Sequence, residues 1–219
     1  RVDFFELSDG DAVRVIDYKS GNKEFNIDLC LGGITIQLLV YLNSLKKFKK
    51  PIGAFYLPIA VEFYFNSDDK EINEVEMIEH YMMDGIATSD EEALISMDHS
   101  IKDYNLSFKN RNINLKGRKK KLEGKENLIS DEYMEKLINK VEDLCIEAVK
   151  EIRNGNINTK PYRYKNISPC IYCDYQDFCG FNPELDSEYR FIKTKGYGAL
   201  EEDNNGNWIY TKSIKGNWR

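Results

Sequence analysis

Alternating and helix-spaced apolar positions divide the chain into a strand-rich start and two helical stretches. Residues 2–7 alternate loosely and include Phe4 and Phe5. After Asp9-Gly10, a hairpin-turn dipeptide, the β-branched run Val13-Arg14-Val15-Ile16 resumes an extended strand. This predicts a hairpin whose second strand ends at Asp17-Tyr18-Lys19, ahead of Ser20-Gly21. Asp28 is suited to cap a helix. Leu31, Ile34, Leu38, Leu42 and Leu45 then recur at three- and four-residue steps, the period of one amphipathic helix. Lysines at 46, 47, 49 and 50 close it, and Pro51 is its expected stop. Residues 53–57 read as a short buried strand and 61–65 as another, within a mixed stretch that runs to 110. A longer helix begins after Ser130, with Asp131 and Glu132 where the helix dipole favours anions. Its apolar stripe is Tyr133, Met134, Leu137, Ile138, Val141, Leu144, Cys145, Ala148 and Ile152, and Gly155 is placed to end it.

Composition adds limits. With 42% hydrophobic residues in 219, the chain can bury a core, which excludes wholesale disorder. No apolar run approaches the ~20 residues of a membrane span, and no charged start followed by an apolar stretch marks a secretory signal. A cytoplasmic location is expected. The sequence opens on Arg1, directly in strand-like residues, as expected of a piece of a longer protein. The net charge of -6 is no footprint of a nucleic-acid binder. The basic residues cluster, however: 116–121 reads Lys-Gly-Arg-Lys-Lys-Lys, either a solvated loop or a phosphate-contacting one. From Lys193 the chain turns rich in Lys, Asn and Gly, and a loosely packed tail is expected.

Three constellations could carry chemistry. Asp17 and Lys19 are two apart on a strand and so share a face. A carboxylate there can hold a hard divalent cation, and an adjacent lysine can stabilise an attacking water or developing phosphoryl charge. Taken alone, an Asp-x-Lys at a strand end is ordinary. Gln37 and Tyr41 lie one helical turn apart on one side. They too are unremarkable in isolation, but a strand–helix unit can bring the two pairs together. The third is Cys170, Cys173 and Cys179, spaced C-x2-C-x5-C after Pro169. These thiols suit a soft metal or an iron–sulfur cluster, or zinc with a fourth ligand elsewhere, or they are simply reduced. Without a secretory signal a disulfide framework is not expected. Cys145 reads as core.

The strings 15–21 (Val-Ile-Asp-Tyr-Lys-Ser-Gly) and 33–42 (Gly-Ile-Thr-Ile-Gln-Leu-Leu-Val-Tyr-Leu) resemble the nuclease motifs of the RecB-type family. The resemblance implies an α/β nuclease core of restriction-endonuclease type, a mixed sheet flanked by helices. It implies that Asp17 binds magnesium, that Lys19 assists the water, and that Gln37 and Tyr41 support the site and the DNA. The family's other metal-binding aspartate sits in a Gly-x-Ile-Asp-Arg-x-Asp string. Arg1-Val2-Asp3 matches only its last three positions, so that ligand would fall immediately before Arg1, and Asp3 is not assigned as one.

The cysteine spacing, with Ser168-Pro169 before it and Gly180-Phe181 after, resembles the end of the B subunit of AddAB-type helicase–nucleases. So do residues 51–59 and 83–87. This implies a [4Fe–4S] cluster on Cys170, Cys173 and Cys179 with a fourth, upstream cysteine. Cys30 is the substitute within reach, though it reads as a buried helix-start residue. It further implies ATP-driven unwinding in the parent protein, magnesium-dependent exonucleolytic DNA hydrolysis during recombinational double-strand-break repair, and a helicase-bearing A subunit as heterodimeric partner. The expected organisation is a partial nuclease domain over 1–165, a cysteine-rich segment over 166–193 and a tail over 194–219. On its own the chain is expected to show little nuclease activity and to hold no complete cluster. The alternatives are a CRISPR-associated exonuclease of the same superfamily and a non-catalytic DNA-binding or scaffold module.

Overall fold

The computed structural model describes residues 1–21, 23–59, 81–99, 128–182, 184–185 and 188–192, with the backbone of 200–202 and 208–210. The strand expected over 61–65 and the basic run 116–121 lie outside the described residues. The chain divides into two compact units, one of 1–25 with 37–139 and one of 26–36 with 140–219.

The first unit holds a five-stranded mixed sheet in sequence order. β1 (Val2–Leu7) and β2 (Gly10–Lys19) form the expected hairpin, joined through Ser8-Asp9. Gly10 takes φ 131°, which a side chain would resist. β2 pairs in parallel with β3 (Lys50–Pro58), and the connection carries a helix, as a parallel crossover requires. β3 pairs antiparallel with β4 (Asp84–Thr88), and β4 in parallel with β5 (Leu128–Ile129). Gly85 makes the β3–β4 approach possible: a Cβ there would lie 2.0 Å from the Ala54 carbonyl oxygen.

Three sequence expectations are corrected here. Pro51 does not act as a stop after the lysines but lies inside β3, beside the register shift at Val13/Arg14. A residue without an N–H is tolerated where the ladder is already interrupted. The single helix expected up to Leu45 is two: α1 (Ile27–Leu31) and α2 (Gln37–Leu45). Gly33, at φ 77°, lies between them. Asn26, not Asp28, caps α1 by accepting from the Leu29 amide at 3.0 Å. Asp28 is buried within the helix and accepts from the Tyr164 hydroxyl at 3.2 Å.

The strand period sorts the sheet's two faces. Ala12 and Ile16 of β2, Ile52 and Phe55 of β3 and Ala87 of β4 pack with Ala93, Leu94 and Met97 of α3 (Glu91–Met97). Val13, Val15, Asp17 and Lys19 alternate onto the other face. α2 lies against β2 and β3, anchored by fully buried Leu38, Leu39 and Leu42. At the opposite end of β3 the Lys50 ammonium meets Asp9 at 2.8 Å and Asp131 at 2.9 Å. The Asp9 hydrogen bond, then that to Asp131, holds its pKa above the usual lysine range.

The long helix α4 (Asp131–Arg153) starts as expected, with Ser130 Oγ accepting from the Tyr133 amide at 3.1 Å. Met134, Leu137, Ile138 and Val141 are buried, whereas Ala148 and Ile152 at the end of the predicted stripe are exposed. In the second unit, β6 (Tyr162–Tyr164) pairs in parallel with β7 (Arg190–Ile192). A 3-10 turn (Pro169–Tyr172) and the short α5 (Gln176–Cys179) lie between them in sequence. The stretch expected to be a loose tail contains an antiparallel pair, β8 (Leu200–Glu202) and β9 (Trp208–Tyr210).

Candidate active site

β2 is buried through Ala12, Val13, Val15 and Ile16, then emerges at its C-terminal end through Asp17, Tyr18 and Lys19. In open α/β sheets this is the edge where ligands are received. Asp17 and Lys19 share the face that α2 covers, and α2 begins at Gln37. The Lys19 ammonium donates to Gln37 Oε1 at 2.9 Å, and Gln37 Nε2 donates to the Tyr41 hydroxyl at 2.9 Å. Both ends of the Gln37 amide are therefore used, which fixes its orientation and that of the lysine. All four residues singled out from the sequence meet: Asp17 and Lys19 directly, Gln37 and Tyr41 through the lysine.

Lys19 Nζ also lies 2.7 Å from Asp17 Oδ2. That oxygen is buried yet receives no aligned hydrogen bond. The contact is one of charge without an aligned N–H, and the carboxylate keeps lone pairs for another partner. A hard cation with oxygen ligands is the partner such an oxygen suits. Asp17 would be only one protein ligand, and among the described residues no group of three or more His, Cys, Asp or Glu gathers around a metal position. Magnesium tolerates this, because it commonly retains waters and takes one or two carboxylates plus substrate phosphate oxygens.

The β1–β2 register locates a further position. Val2 faces Val15, and Arg1 and Ile16 exchange hydrogen bonds at 2.7 and 2.8 Å. Continued by one step, the same register would set a position preceding Arg1 opposite Asp17. Asp3 is elsewhere: it faces Arg14 across the hairpin and bonds Arg14 Nε at 2.8 Å and Arg1 Nε at 2.6 Å. Burial pushes the Asp3 carboxyl up, but the two arginines outweigh it and hold it below the usual carboxylate range. Arg14 belongs to the α3 side of the sheet, bonding the Met97 carbonyl at 3.1 Å. Asp3 is thus a structural partner pointing away from Asp17.

Two residues of the site were not anticipated. Tyr56 of β3 is the neighbour of Asp17 and is fully buried. Its ring lies 5.4 Å from Lys19 Nζ and 5.0 Å from Lys23 Nζ. No local pattern marks Tyr56 or Lys23, because both are brought in by strand register and by the loop after β2.

Residues 1–180 match the family model described as the PD-(D/E)XK nuclease superfamily. The chain belongs to that superfamily. The Asp17-Tyr18-Lys19 element at the end of β2 agrees with the pattern in its name, and the mixed sheet with flanking helices agrees with the fold expected from the sequence. Among relatives, the chain is similar to the B subunit of the ATP-dependent helicase/deoxyribonuclease of Clostridium tetani, 34% identical over 207 residues. It is similar also to the B subunits of the same description from Thermoanaerobacter sp. (32% over 204 residues) and Clostridioides difficile (31% over 212 residues). These matches cover 88–89% of this chain but only 17–18% of the relatives' length. The expected likeness to the B subunit of a helicase–nuclease is met by these names.

The cysteines sit differently from the carboxylate site. Cys170 lies on the 3-10 turn and is half-buried; Cys173 follows it and Cys179 ends α5, both exposed. The Cys173 amide donates to the Cys170 carbonyl at 3.3 Å. Cys30 is fully buried in α1, and burial pushes its thiol up to about 12, so it is a poor source of thiolate. Among the described residues no helix is long and apolar enough to cross a membrane.

Proposed function

We propose that this chain is the nuclease portion of an ATP-dependent helicase–nuclease B subunit, and that the full-length subunit, more than this chain alone, hydrolyses DNA phosphodiester bonds with magnesium, as an exonuclease. The observation that carries the reading is the buried Asp17 oxygen without an aligned donor, set against a lysine held on its other side by Gln37. Magnesium, when bound, supplies Lewis acidity and a more acidic water. Asp17 would hold it, with the position preceding Arg1 as the natural place for a second carboxylate. Lys19 holds a proton-bearing cation where charge develops on the phosphoryl oxygens. Gln37 keeps that cation from swinging away, and the exposed Tyr41 offers a ring and hydroxyl to the DNA strand.

Cys170, Cys173 and Cys179 are soft thiolate donors of the kind a [4Fe–4S] cluster takes, with a fourth thiolate from outside this chain. In this reading the cluster staples two distant segments and takes no part in hydrolysis. Iron and acid-labile sulfide in the full-length protein, lost in Cys173→Ser, check that assignment. We further assign the protein to cytoplasmic double-strand-break repair by recombination, beside a helicase-bearing A subunit. The names of the relatives favour this over a CRISPR-associated exonuclease, and the retained Asp17–Lys19 pair favours an enzyme over a scaffold.

The test is degradation of end-labelled DNA by the full-length protein with magnesium. Asp17→Asn and Lys19→Met are each expected to lower the rate by about 10²-fold or more, the scale of losing one electrostatic contributor. Full activity in either variant would overturn the reading.

A further inference from the structure

Lys23 lies on the segment that follows β2, and it has no carboxylate partner among the described residues. Its one described contact is with the Tyr56 ring, at 5.0 Å. The Lys19 ammonium stands over the same ring at 5.4 Å. Two cations thus converge on one buried aromatic, and among the described residues only Lys19 has a carboxylate beside it. Like charges gathered this way repel unless an anion joins them.

The segment is also held in place. Asp17, Tyr56 and Asp84 form one row across β2, β3 and β4, because Asp17 pairs with Tyr56 and Tyr56 with Asp84. At the far end of that row the buried Asp84 carboxylate accepts the Phe25 amide at 3.0 Å through Oδ1. That buried hydrogen bond fixes the backbone two residues after Lys23. The tether therefore presents the lysine beside the site and stops the loop carrying it off.

We infer that Lys23 is a second phosphate-binding cation of this site, contacting the DNA backbone at a phosphate next to the one Lys19 serves. Asp84 is the positioning residue that holds its loop. The ligand is the phosphodiester backbone itself, read by charge and without base preference. This assignment rests on the nuclease reading above.

The experiment measures binding of single-stranded DNA to the full-length protein as a function of salt, with calcium in place of magnesium so that no strand is cut. A lysine on one phosphate contributes roughly 0.7 to the slope of log affinity against log salt for a single strand. Lys23→Met is expected to lower the slope by about that amount and to weaken binding several-fold at low salt. Lys23→Gln, which keeps a stem and polar head over Tyr56, is expected to lower it equally, and Lys23→Arg to restore it. A slope equal to wild type in Met and Gln variants, whatever their melting temperatures, would assign Lys23 to packing alone and overturn the inference. That failure is separable from failure of the nuclease reading. If the wild-type protein binds no DNA, both fall; if it binds with an unchanged slope in the variants, only the Lys23 assignment falls.

Discussion

The hairpin register makes a prediction about metal binding that can be worked through in numbers. The exchange of hydrogen bonds between Arg1 and Ile16 makes theirs a hydrogen-bonded pair. The next pair outward, the position preceding Arg1 and Asp17, is then of the non-bonded kind, with Cα atoms about 4.5 Å apart and side chains close. An aspartate added there would bring its carboxylate to about 5 Å from that of Asp17, a repulsion of about 1 kcal/mol in water and about 3 kcal/mol at an effective dielectric of 20. Lys19, 2.7 Å from Asp17, offsets part of it. A divalent cation between the two carboxylates converts the rest into attraction. Relieving about 2–3 kcal/mol corresponds to roughly 30- to 150-fold tighter binding. Calorimetric titration of manganese into the Asp-extended chain, against the same chain extended with Asn, reads this directly. The Asn extension controls for moving the terminal ammonium away from the Ile16 carbonyl. The reasoning is refuted if the two extensions bind manganese within about threefold of each other. It is refuted equally if the tightening survives Asp17→Asn in the extended chain.

Two further predictions concern stability. Gly85→Ala sets a Cβ 2.0 Å from the Ala54 carbonyl oxygen and 2.7 Å from the Phe55 Cα, so backbone must move. A loss of about 3 kcal/mol or more is expected in urea unfolding, and clearly more than for Gly53→Ala, whose Cβ meets only side-chain atoms of Phe55 and Met97. Asp3 carries the pH prediction: its carboxyl is held below the usual range by Arg1 and Arg14. A depressed folded-state pKa gives stability that is present above the unfolded value of about 3.9 and is lost as pH falls through the folded value. Asp3→Asn is therefore expected to cost about 1–3 kcal/mol at pH 7. That difference should shrink towards zero as the pH falls below the folded value of Asp3, and an equal deficit there would count against the ion pair as its source.

What can be read from the chain tracks how local the physical signal is. The β1–β2 hairpin follows from a turn dipeptide and a β-branched run within 19 residues. α4 follows from a cap at Ser130 and a stripe with helical period. α2 is legible in its apolar positions, but the leucine spacing alone extends the helix too far back, across Gly32-Gly33. The positive φ of Gly33 shows which signal wins. Proline after a lysine run usually punctuates a helix, and only the register shift opposite Pro51 explains its place inside a strand. β4 and α3 leave no periodic trace in the sequence. β4 is buried along all five residues, so it shows no alternation, and α3 is only seven residues long.

The site divides along the same line, and the division says where its unread parts should be sought. Asp17, Lys19, Gln37 and Tyr41 belong to one strand and the crossover helix that follows, so strand period and helix period suffice to bring them together. Tyr56 and Asp84 join the same row only through two strand registers, one parallel and one antiparallel. Registers are set by the whole sheet and not by any short string. The position opposite Asp17 on the hairpin's other side is fixed in the same way, by Val2 facing Val15. A site built at the end of a central strand draws its chemistry from that strand and its electrostatic setting from both neighbours. Motif reading therefore recovers the first and must leave the second to the sheet. Lys23 is the case between: close to Asp17 in sequence, yet placed by a hydrogen bond from Phe25 to a carboxylate 59 residues away.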